Sequence, residues 1–292
     1  MHIAFAGLGV MGAPMAGHLI AAGHTVAGYN RSPDKARAWA EAHGGRFAAT
    51  VAEAAEGAEL FILCVGNDDD VRQVVTEALP HLAEGAVMVD HTTTSAKVAR
   101  EMAGLAAARG VAFIDAPVSG GQAGAENGQL SVMAGGDAEA LARVEPALRA
   151  YAKAVQHMGP AGAGQLTKMV NQICIAGVVQ GLAEAVHFAQ QAGLETDAVY
   201  QAVSKGAAQS WQMDNRWKTM AEGRFDFGFA VDWMRKDLGL VLDEARANGS
   251  HLALTALVDQ FYSEVQSMGG ARWDTSSLAA RLQDRSRRPG GG

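Results

Sequence analysis

The segment from Gly162 to Gly193 constrains the fold of this chain more than any other stretch. It contains no proline and has glycines at both ends, so Gln165 to Ala192 is predicted to form one helix. At about 1.5 Å per residue this helix would be roughly 42 Å long, which exceeds the width of a small domain. No charged residue lies between Met169 and Ala183, which predicts burial on most sides. We therefore expect a helix that joins two domains.

Three polar residues near the start of this helix form a candidate catalytic cluster. Asn171 and Gln172 follow Lys168 at spacings of three and four, which places all three side chains on one face of the helix. Desolvation on an apolar face can lower the pKa of a lysine and suit it to accept and donate protons. The plainer alternative is a solvated lysine beside two carboxamides that bind backbone groups.

Composition limits the class of protein. The chain has 292 residues, enough for about two domains, and 49% of them are hydrophobic. Its net charge is -7, and no cluster of Lys and Arg precedes the last residues, which argues against nucleic acid as a partner. No histidine has ligand spacing to another histidine or to Cys64 or Cys174, so we expect no metal. Both cysteines lie in apolar runs, which is typical of reduced thiols in the cytosol.

The sequence also bears on location and assembly. It opens directly into an apolar strand, and no window reaches about 18 clean apolar residues, so we expect a cytoplasmic protein without a membrane partner. Only 19% of the residues are charged, which suggests that another subunit covers part of the surface. A homodimer or homotetramer is therefore expected.

The first residues have the pattern of a dinucleotide-binding unit. A short apolar strand leads into Gly7-Leu8-Gly9-Val10-Met11-Gly12, and a helix is predicted directly afterwards. In such a unit Gly7 permits a tight turn, Gly9 lets a pyrophosphate approach the backbone, and Gly12 lets helix and strand pack closely. This context favours a nucleotide site over the alternative, a glycine-rich turn without a ligand.

The residues after the second strand bear on which dinucleotide is bound. Asn30-Arg31-Ser32 stand where an NAD site usually carries an acidic residue on the ribose hydroxyls. An arginine at this point can pair with a 2′-phosphate instead, so Arg31, with Asn30 and Ser32, favours NADP over NAD. The alternative is an ordinary loop arginine.

The first half of the chain is predicted to form a parallel-rich sheet. Strands and helices alternate as far as residue 116, which places helices on both faces of the sheet. Right-handed crossovers put the loops that follow the strands along one rim. Val65 ends one of these strands and Thr93 lies in the loop after the next, so both are candidate cofactor-binding residues.

A glycine-rich loop at the same rim is a candidate substrate site. Residues 117–121 would present successive backbone N–H groups and one hydroxyl, which together suit a small carboxylate. The candidate residues are Ser119, Gly120 and Gly121. The alternative is a flexible connection.

The second half of the chain is predicted to be helical throughout. Apolar residues recur at helical spacing after residue 193, so we expect residues 1–160 to form a Rossmann domain and residues 161–284 an all-α domain. One helix of the second domain carries Arg235 and Lys236 in a mostly apolar setting. Either cation could bind a carboxylate, or both could be surface residues. The basic, glycine-rich residues 285–292 are predicted to be a disordered tail.

Four separated motifs resemble the signatures of the β-hydroxyacid dehydrogenases, a family that includes 3-hydroxyisobutyrate dehydrogenase and tartronate semialdehyde reductase. The motifs occur in the family's order and spacing between Met1 and about Leu282, at residues 7–15, 115–121, 164–171 and 236–238. The resemblance implies an α/β Rossmann domain, a long interdomain helix and an all-α domain, with the active site in the cleft between the domains.

The resemblance also implies roles for individual residues. Lys168 matches the catalytic lysine, residues 119–121 the substrate-binding loop, Asn171 the amide that orients the substrate, and Lys236 a further lysine at the site. Many members have a second asparagine after Asn171, whereas this chain has Gln172, as in the tartronate semialdehyde reductase branch.

The activity implied is hydride transfer between NADP or NAD and a small carboxylated substrate, which interconverts a β-hydroxy acid and its semialdehyde. Imine reductases share this architecture, and some relatives are non-catalytic dinucleotide-binding modules. Both alternatives are marked by loss of the lysine, which is present here as Lys168.

Overall fold

The chain forms two compact units, which are described separately below. The computed structural model describes the backbone of residues 1–287 and the side chains of residues 1–283. The N-terminal unit is Met1–Lys168, and the C-terminal unit begins at Met169. The boundary falls inside helix α8, Ala163–Gln191, which occupies nearly the range predicted for the long helix.

The N-terminal unit is an α/β domain. Its strands are β1 His2–Ala6, β2 Thr25–Tyr29, β3 Arg46–Phe47, β4 Leu60–Leu63, β5 Val87–Asp90, β6 Ala112–Asp115, β7 Val118–Ser119, β8 Leu130–Gly135 and β9 Ala152–Gly159. Its helices before α8 are α1 Gly12–Ala21, α2 Pro33–His43, α3 Val51–Ala55, α4 Asp68–Ala78, α5 Ala96–Ala107, α6 Gly121–Glu126 and α7 Ala138–Leu148, with a short 3₁₀ turn at Leu79–His81.

The nine strands form one sheet in the order β3-β2-β1-β4-β5-β6-β8-β7, with β9 paired to β8. Strands β1 to β6 are all parallel to their neighbours among themselves. Strand β8 is antiparallel to β6 and β7, and β9 is parallel to β8. The predicted parallel-rich Rossmann sheet is confirmed. The carboxyl ends of its central strands are in register, because Ala6, Leu63, Asp90 and Asp115 form one row.

Both faces of the sheet are covered by helices, and the central strands alternate between two cores. Phe5 and Ile62 belong to the core that includes α1, whereas Phe61 and Leu63 belong to the core that includes α4 and α5. This period of two, with apolar residues on both faces, is typical of a buried parallel sheet. The sheet therefore gives a rigid edge on which the loops that follow the strands are held.

The segment after β6 differs from the prediction. The loop 117–121 was predicted as a cradle or a flexible connection, but Val118 and Ser119 form strand β7 against β8, and α6 begins at Gly121. A pairing of two residues leaves no period-two pattern in the sequence, which is why it was not predicted.

The described part of the C-terminal unit is helical apart from an isolated bridge between Ala230 and Asp274. After α8 it contains α9 Thr196–Val203, α10 Trp211–Glu222, α11 Val231–Asn248, α12 Ala253–Ser267, a 3₁₀ turn at Thr275–Ser277 and α13 Leu278–Arg287. The helical prediction for this half is confirmed. Helix α13 continues three residues into the predicted tail, because the arginines there favour a helix. Residues 288–292 of that tail lie outside the described residues.

Helix α8 is, among the described helices, the one long and apolar enough to cross a membrane, with a mean hydropathy of 1.4. This is weak evidence, because the core helix of a soluble protein passes the same test. The helix buries Ala176, Val179 and Val186 in the core of the C-terminal unit and leaves Val170 and Phe188 exposed.

Candidate functional site

The first turn after β1 has the backbone that close approach of a diphosphate requires. Gly7 has φ +100°, and a Cβ there would lie 2.1 Å from the carbonyl oxygen of Cys64. A Cβ on Gly12 would lie 1.9 Å from the carbonyl oxygen of Gly7, so helix α1 packs closely on this turn. A Cβ on Gly9 would meet none of the described heavy atoms within 4 Å. The turn is therefore closely packed at Gly7 and Gly12 and open at Gly9. Since it lies at the N-terminus of a helix, it fits the diphosphate of a dinucleotide.

The residues after β2 are joined to this turn. Asn30 Oδ1 accepts a hydrogen bond from the backbone N–H of Leu8 at 3.0 Å, and its Nδ2 donates to the carbonyl oxygen of Ser32 at 3.2 Å. The side chain of Leu8 is in the core, so Leu8 can offer a ligand only its backbone. The Arg31 side chain is 87% exposed, and its Nη1 lies 3.4 Å from Asp70 Oδ1. An exposed cation at the end of β2 is where an NADP site places one.

Two other predicted cofactor residues lie along the same edge of the sheet. The backbone N–H of Val65, just after β4, donates to Thr92 Oγ1 at 3.0 Å. Thr92 N–H in turn donates to Asp90 Oδ1 at 2.8 Å. Thr93 follows directly and is half-buried. The loops after β4 and β5 are thus tied to each other beside the glycine turn.

His91, at the start of the second loop, is fully buried and makes two hydrogen bonds. Its Nδ1 lies 2.6 Å from the carbonyl oxygen of Ala116, which can only accept, so Nδ1 carries the proton. Its Nε2 then accepts from the hydroxyl of Tyr151 at 2.8 Å. Burial lowers the pKa of His91 to about 4. The neutral imidazole therefore holds this loop to the residue that follows β6.

As the pH is lowered, the stability of the wild type relative to a His91→Gln variant is expected to decrease. The folded chain keeps His91 neutral down to about pH 4, whereas the unfolded chain protonates it below about pH 6.5, so the titration of His91 by itself favours unfolding in acid. The unfolding free energy of the wild type minus that of the variant should decrease by about 2 kcal/mol from pH 7 to pH 5. Urea unfolding followed by circular dichroism measures it. The exposed His251→Gln is the control, and parallel curves for wild type and His91→Gln would contradict the assignment.

Lys168 and the predicted substrate loop meet within the N-terminal unit. Lys168 is only 8% exposed, and its Nζ donates to the carbonyl oxygen of Val118 at 2.8 Å. Ser119, the next residue, is half-buried, and Gly120 and Gly121 follow with φ +131° and +61°. Positive φ at two successive residues is a conformation that favours glycine. The structure thus holds the buried Lys168 ammonium against the backbone of the residue that precedes Ser119.

Two residues that the sequence did not single out hold the start of α8. The carboxylate of Asp115, fully buried at the end of β6, accepts from the backbone N–H groups of Gly162 at 2.7 Å and Gln165 at 2.9 Å. Burial raises the pKa of Asp115 to about 6, against the effect of these hydrogen bonds. The signals available were an acidic residue at the end of a buried strand and a glutamine one turn before Lys168.

The other predicted substrate residues are joined to one another within the C-terminal unit. Asn171 Nδ2 donates to Gln172 Oε1 at 2.8 Å, and Gln172 Nε2 donates to Asp237 Oδ2 at 2.6 Å. Asp237 Oδ1 lies 3.2 Å from Lys236 Nζ. The buried Gln172 thus links Asn171 to the Asp237–Lys236 pair. Arg235, the alternative cation, instead pairs with Asp259 at 3.0 Å.

The chemistry of these residues suits an organic cofactor. Among the side chains that the structure describes, no group of three or more His, Cys, Asp and Glu residues could hold a metal ion. The open glycine turn, the exposed Arg31 and the tied loops at Val65 and Thr93 together fit a dinucleotide.

Comparison with known proteins identifies the family. Residues 2–159 match the family model of the NAD binding domain of 6-phosphogluconate dehydrogenase. Residues 162–282 match that of the NAD-binding domain of NADP-dependent 3-hydroxyisobutyrate dehydrogenase. The chain is 62% identical to an uncharacterized oxidoreductase of Shewanella frigidimarina, with 96% of this chain and 98% of the relative covered.

Two further relatives carry more specific names. A probable mitochondrial 3-hydroxyisobutyrate dehydrogenase-like protein of Arabidopsis thaliana is 39% identical, over 96% of this chain and 85% of the relative. The solved structure of Mycobacterium tuberculosis 3-hydroxyisobutyrate dehydrogenase with L-serine has a TM-score of 0.88 and 34% identity, over 96% of this chain and 98% of that one. The chain therefore belongs to the β-hydroxyacid dehydrogenase family of NAD(P)-dependent oxidoreductases, to which 3-hydroxyisobutyrate dehydrogenase belongs.

Proposed function

We propose that this chain interconverts a small β-hydroxy acid and its semialdehyde, with Lys168 as the general acid and base and NADP(H) as the preferred cofactor. The observation that carries the proposal is the contact of Lys168 Nζ with the carbonyl oxygen of Val118, directly before Ser119. It supports the proposal because Lys168, the one buried lysine among the described residues, contacts the backbone of the residue that precedes Ser119. The family supports hydride chemistry on a hydroxy acid in general.

Lys168 manages the proton of the reaction. The nicotinamide of the bound cofactor supplies or accepts the hydride. In reduction, the Lys168 ammonium donates a proton to the oxygen of the aldehyde as negative charge develops on it. In oxidation, the Lys168 amine accepts the proton of the substrate hydroxyl. The bond to Val118 orients Nζ toward the strand that carries Ser119.

The substrate carboxylate is proposed to bind the loop 119–121. The Ser119 hydroxyl and the N–H groups of Gly120 and Gly121 are donors, which suit an anion. Asn171 and Lys236 are proposed to bind polar groups of the substrate, and Lys236 the cofactor as well. The support for this is that Gln172 and Asp237 hold both side chains by hydrogen bonds and an ion pair.

The preference for NADP rests on Arg31. Its exposed guanidinium can bind a 2′-phosphate, and a phosphate carries more charge than the Asp70 carboxylate with which it would compete. The 3.4 Å pair with Asp70 is exposed and therefore weak, so exchange of partners costs little.

A panel of small substrates with each cofactor tests the proposal. Initial rates are measured with NADPH and NADH and with tartronate semialdehyde, succinic semialdehyde, glyoxylate and methylmalonate semialdehyde. The oxidation of 3-hydroxyisobutyrate and of L-serine is added, because the M. tuberculosis relative was solved with L-serine. We expect turnover of one or a few acids, faster with NADPH. Activity with NADH alone would contradict the role of Arg31, and no turnover across the panel would contradict the reaction.

The assembly and location remain proposals from the sequence. A homodimer or homotetramer is supported by the large apolar side chains that stay exposed on the C-terminal unit, which include Phe188 and Leu254. Light scattering on the purified protein measures the mass, and a monomer would contradict the proposal. A cytoplasmic location is proposed from the sequence alone and is tested by fractionating cells.

A further inference from the structure

The carboxamide of Gln165 holds the backbone on both sides of Thr93. Gln165 is fully buried. Its Oε1 accepts from the backbone N–H of Thr94 at 3.0 Å, and its Nε2 donates to the carbonyl oxygen of Thr92 at 2.7 Å. These two groups flank Thr93, so one side chain fixes the residue predicted to border the cofactor.

The backbone of Gln165 is fixed as firmly as its side chain. Its N–H donates to Asp115 Oδ2 at 2.9 Å, and Asp115 Oδ1 accepts from Gly162 N–H at 2.7 Å. Asp115 ends strand β6, so Gln165 is anchored directly to the sheet. Lys168 lies three residues further along α8, on the same face of the helix.

The loop around Thr93 is also held by hydrogen bonds to residues other than Gln165. Thr92 Oγ1 accepts from Val65 N–H at 3.0 Å, and Thr92 N–H donates to Asp90 at 2.8 Å. Hydrogen bonds therefore run from the end of β4 through Thr92 to Gln165 and into the turn of α8 that precedes Lys168. Every residue of this chain of bonds belongs to the N-terminal unit.

We propose that Gln165 is a positioning residue that keeps Thr93, beside the cofactor, in register with Lys168, which moves the proton. The inference rests on the proposed function. Its physical basis is that hydride and proton transfer require both partners within a narrow range of geometry, where a displacement of about 1 Å can cost on the order of 100-fold in rate. Without this carboxamide, the Thr92 carbonyl and the Thr94 N–H would lose their buried partner, and the loop would move to satisfy them.

In a Gln165→Glu variant, the two side-chain hydrogen bonds to Thr92 and Thr94 should depend on pH. A protonated glutamic acid keeps both bonds, because its O–H donates to the Thr92 carbonyl and its C=O accepts from the Thr94 N–H. An ionised one has no proton to donate and repels the Thr92 carbonyl. Burial and the neighbouring Asp115 and Asp90 favour the protonated form, Lys168 favours the ionised form, and His91 is neutral.

The dissociation constant of NADPH and kcat are measured from pH 5.5 to pH 9 for the wild type and Gln165→Glu. We expect the variant to approach the wild type at the acid end and to lose at least about 10-fold in kcat, with weaker NADPH binding, at the alkaline end. The change should reverse when the pH is returned. Gln165→Leu, which fills the same space without either bond, should be impaired at every pH.

A matched control separates positioning from stability. Gln180 is a second buried glutamine of α8, 3% exposed, and its Nε2 donates to Glu184 at 2.6 Å. Gln180→Glu should lower stability but leave the pH dependence of kcat and of NADPH binding as in the wild type. Circular dichroism at each pH shows whether Gln165→Glu remains folded.

The outcomes are distinct. A constant ratio of variant to wild type across the pH range would overturn the inference, as would a loss of activity that only follows the loss of folded protein. Failure of the wild type itself to bind NADPH would contradict the proposed function and the inference together. Normal wild-type turnover with an unaffected Gln165→Leu would contradict the inference alone.

Discussion

Replacement of Lys168 by alanine is expected to lower kcat by about 10²- to 10⁴-fold, the range in which a positioned general acid or base contributes. The alanine removes the group that moves the substrate proton and the bond to Val118, but none of the residues predicted to hold the cofactor. NADPH binding should therefore be unchanged. Steady-state rates with the best substrate of the panel, together with NADPH titration by fluorescence, measure the two effects separately.

Two companion variants show whether the proton or the charge of Lys168 is required. Lys168→Arg keeps a cation that can bind the Val118 carbonyl, but it does not release a proton at ordinary pH, so it should be slow as well. The exposed Lys153→Ala should behave as the wild type. Near-normal kcat in Lys168→Ala would refute the role, and near-normal kcat in Lys168→Arg would reduce it to charge alone.

Replacement of Gly9 by alanine is expected to weaken NADPH binding without unfolding the protein. A Cβ at Gly9 meets no described atom within 4 Å, and its φ is not in the left-handed region, so the chain accommodates it. The methyl group occupies the space into which the diphosphate would come. Loss of hydrogen bonds to a charged group corresponds to roughly 10- to 100-fold in the dissociation constant.

Gly12→Ala provides the contrast to that variant. Its Cβ would lie 1.9 Å from the Gly7 carbonyl oxygen, so the turn itself must shift and stability must fall. Thermal unfolding and NADPH titration of both variants separate the two kinds of glycine. Normal NADPH affinity in Gly9→Ala would show that the diphosphate does not approach the backbone there.

Much of the fold followed from local patterns. The strand, glycine turn and helix at residues 2–21, and the alternation of elements after them, depend on period and on turn chemistry, which the sequence carries directly. The long helix was predicted for the same reason, because a run without proline or charge leaves few other folds. The proximity of Lys168 to the loop 119–121 was predicted from the family motifs and not from periodicity.

What could not be predicted depends on tertiary register. Nothing local to Gln165 shows that its carboxamide reaches residues 92 and 94, more than 70 positions earlier, because that contact exists only once β5, β6 and α8 are assembled. The pair between Arg31 and Asp70 is of the same kind. The bond between the Asp68 carboxylate and the backbone N–H of Ser95 likewise forms only once the loops before α4 and α5 are brought together.

The opposite environments of two buried groups affect how the protein exchanges protons with solvent when it folds. Between about pH 4 and about pH 6 the folded chain holds a proton on Asp115 that the unfolded chain has released, whereas the unfolded chain holds one on His91 that the folded chain has released. The uptake at one residue nearly cancels the release at the other. Together the two groups keep their joint contribution to the free energy of unfolding nearly independent of pH in this range. A variant that lacks one of them shows the pH dependence that the other causes.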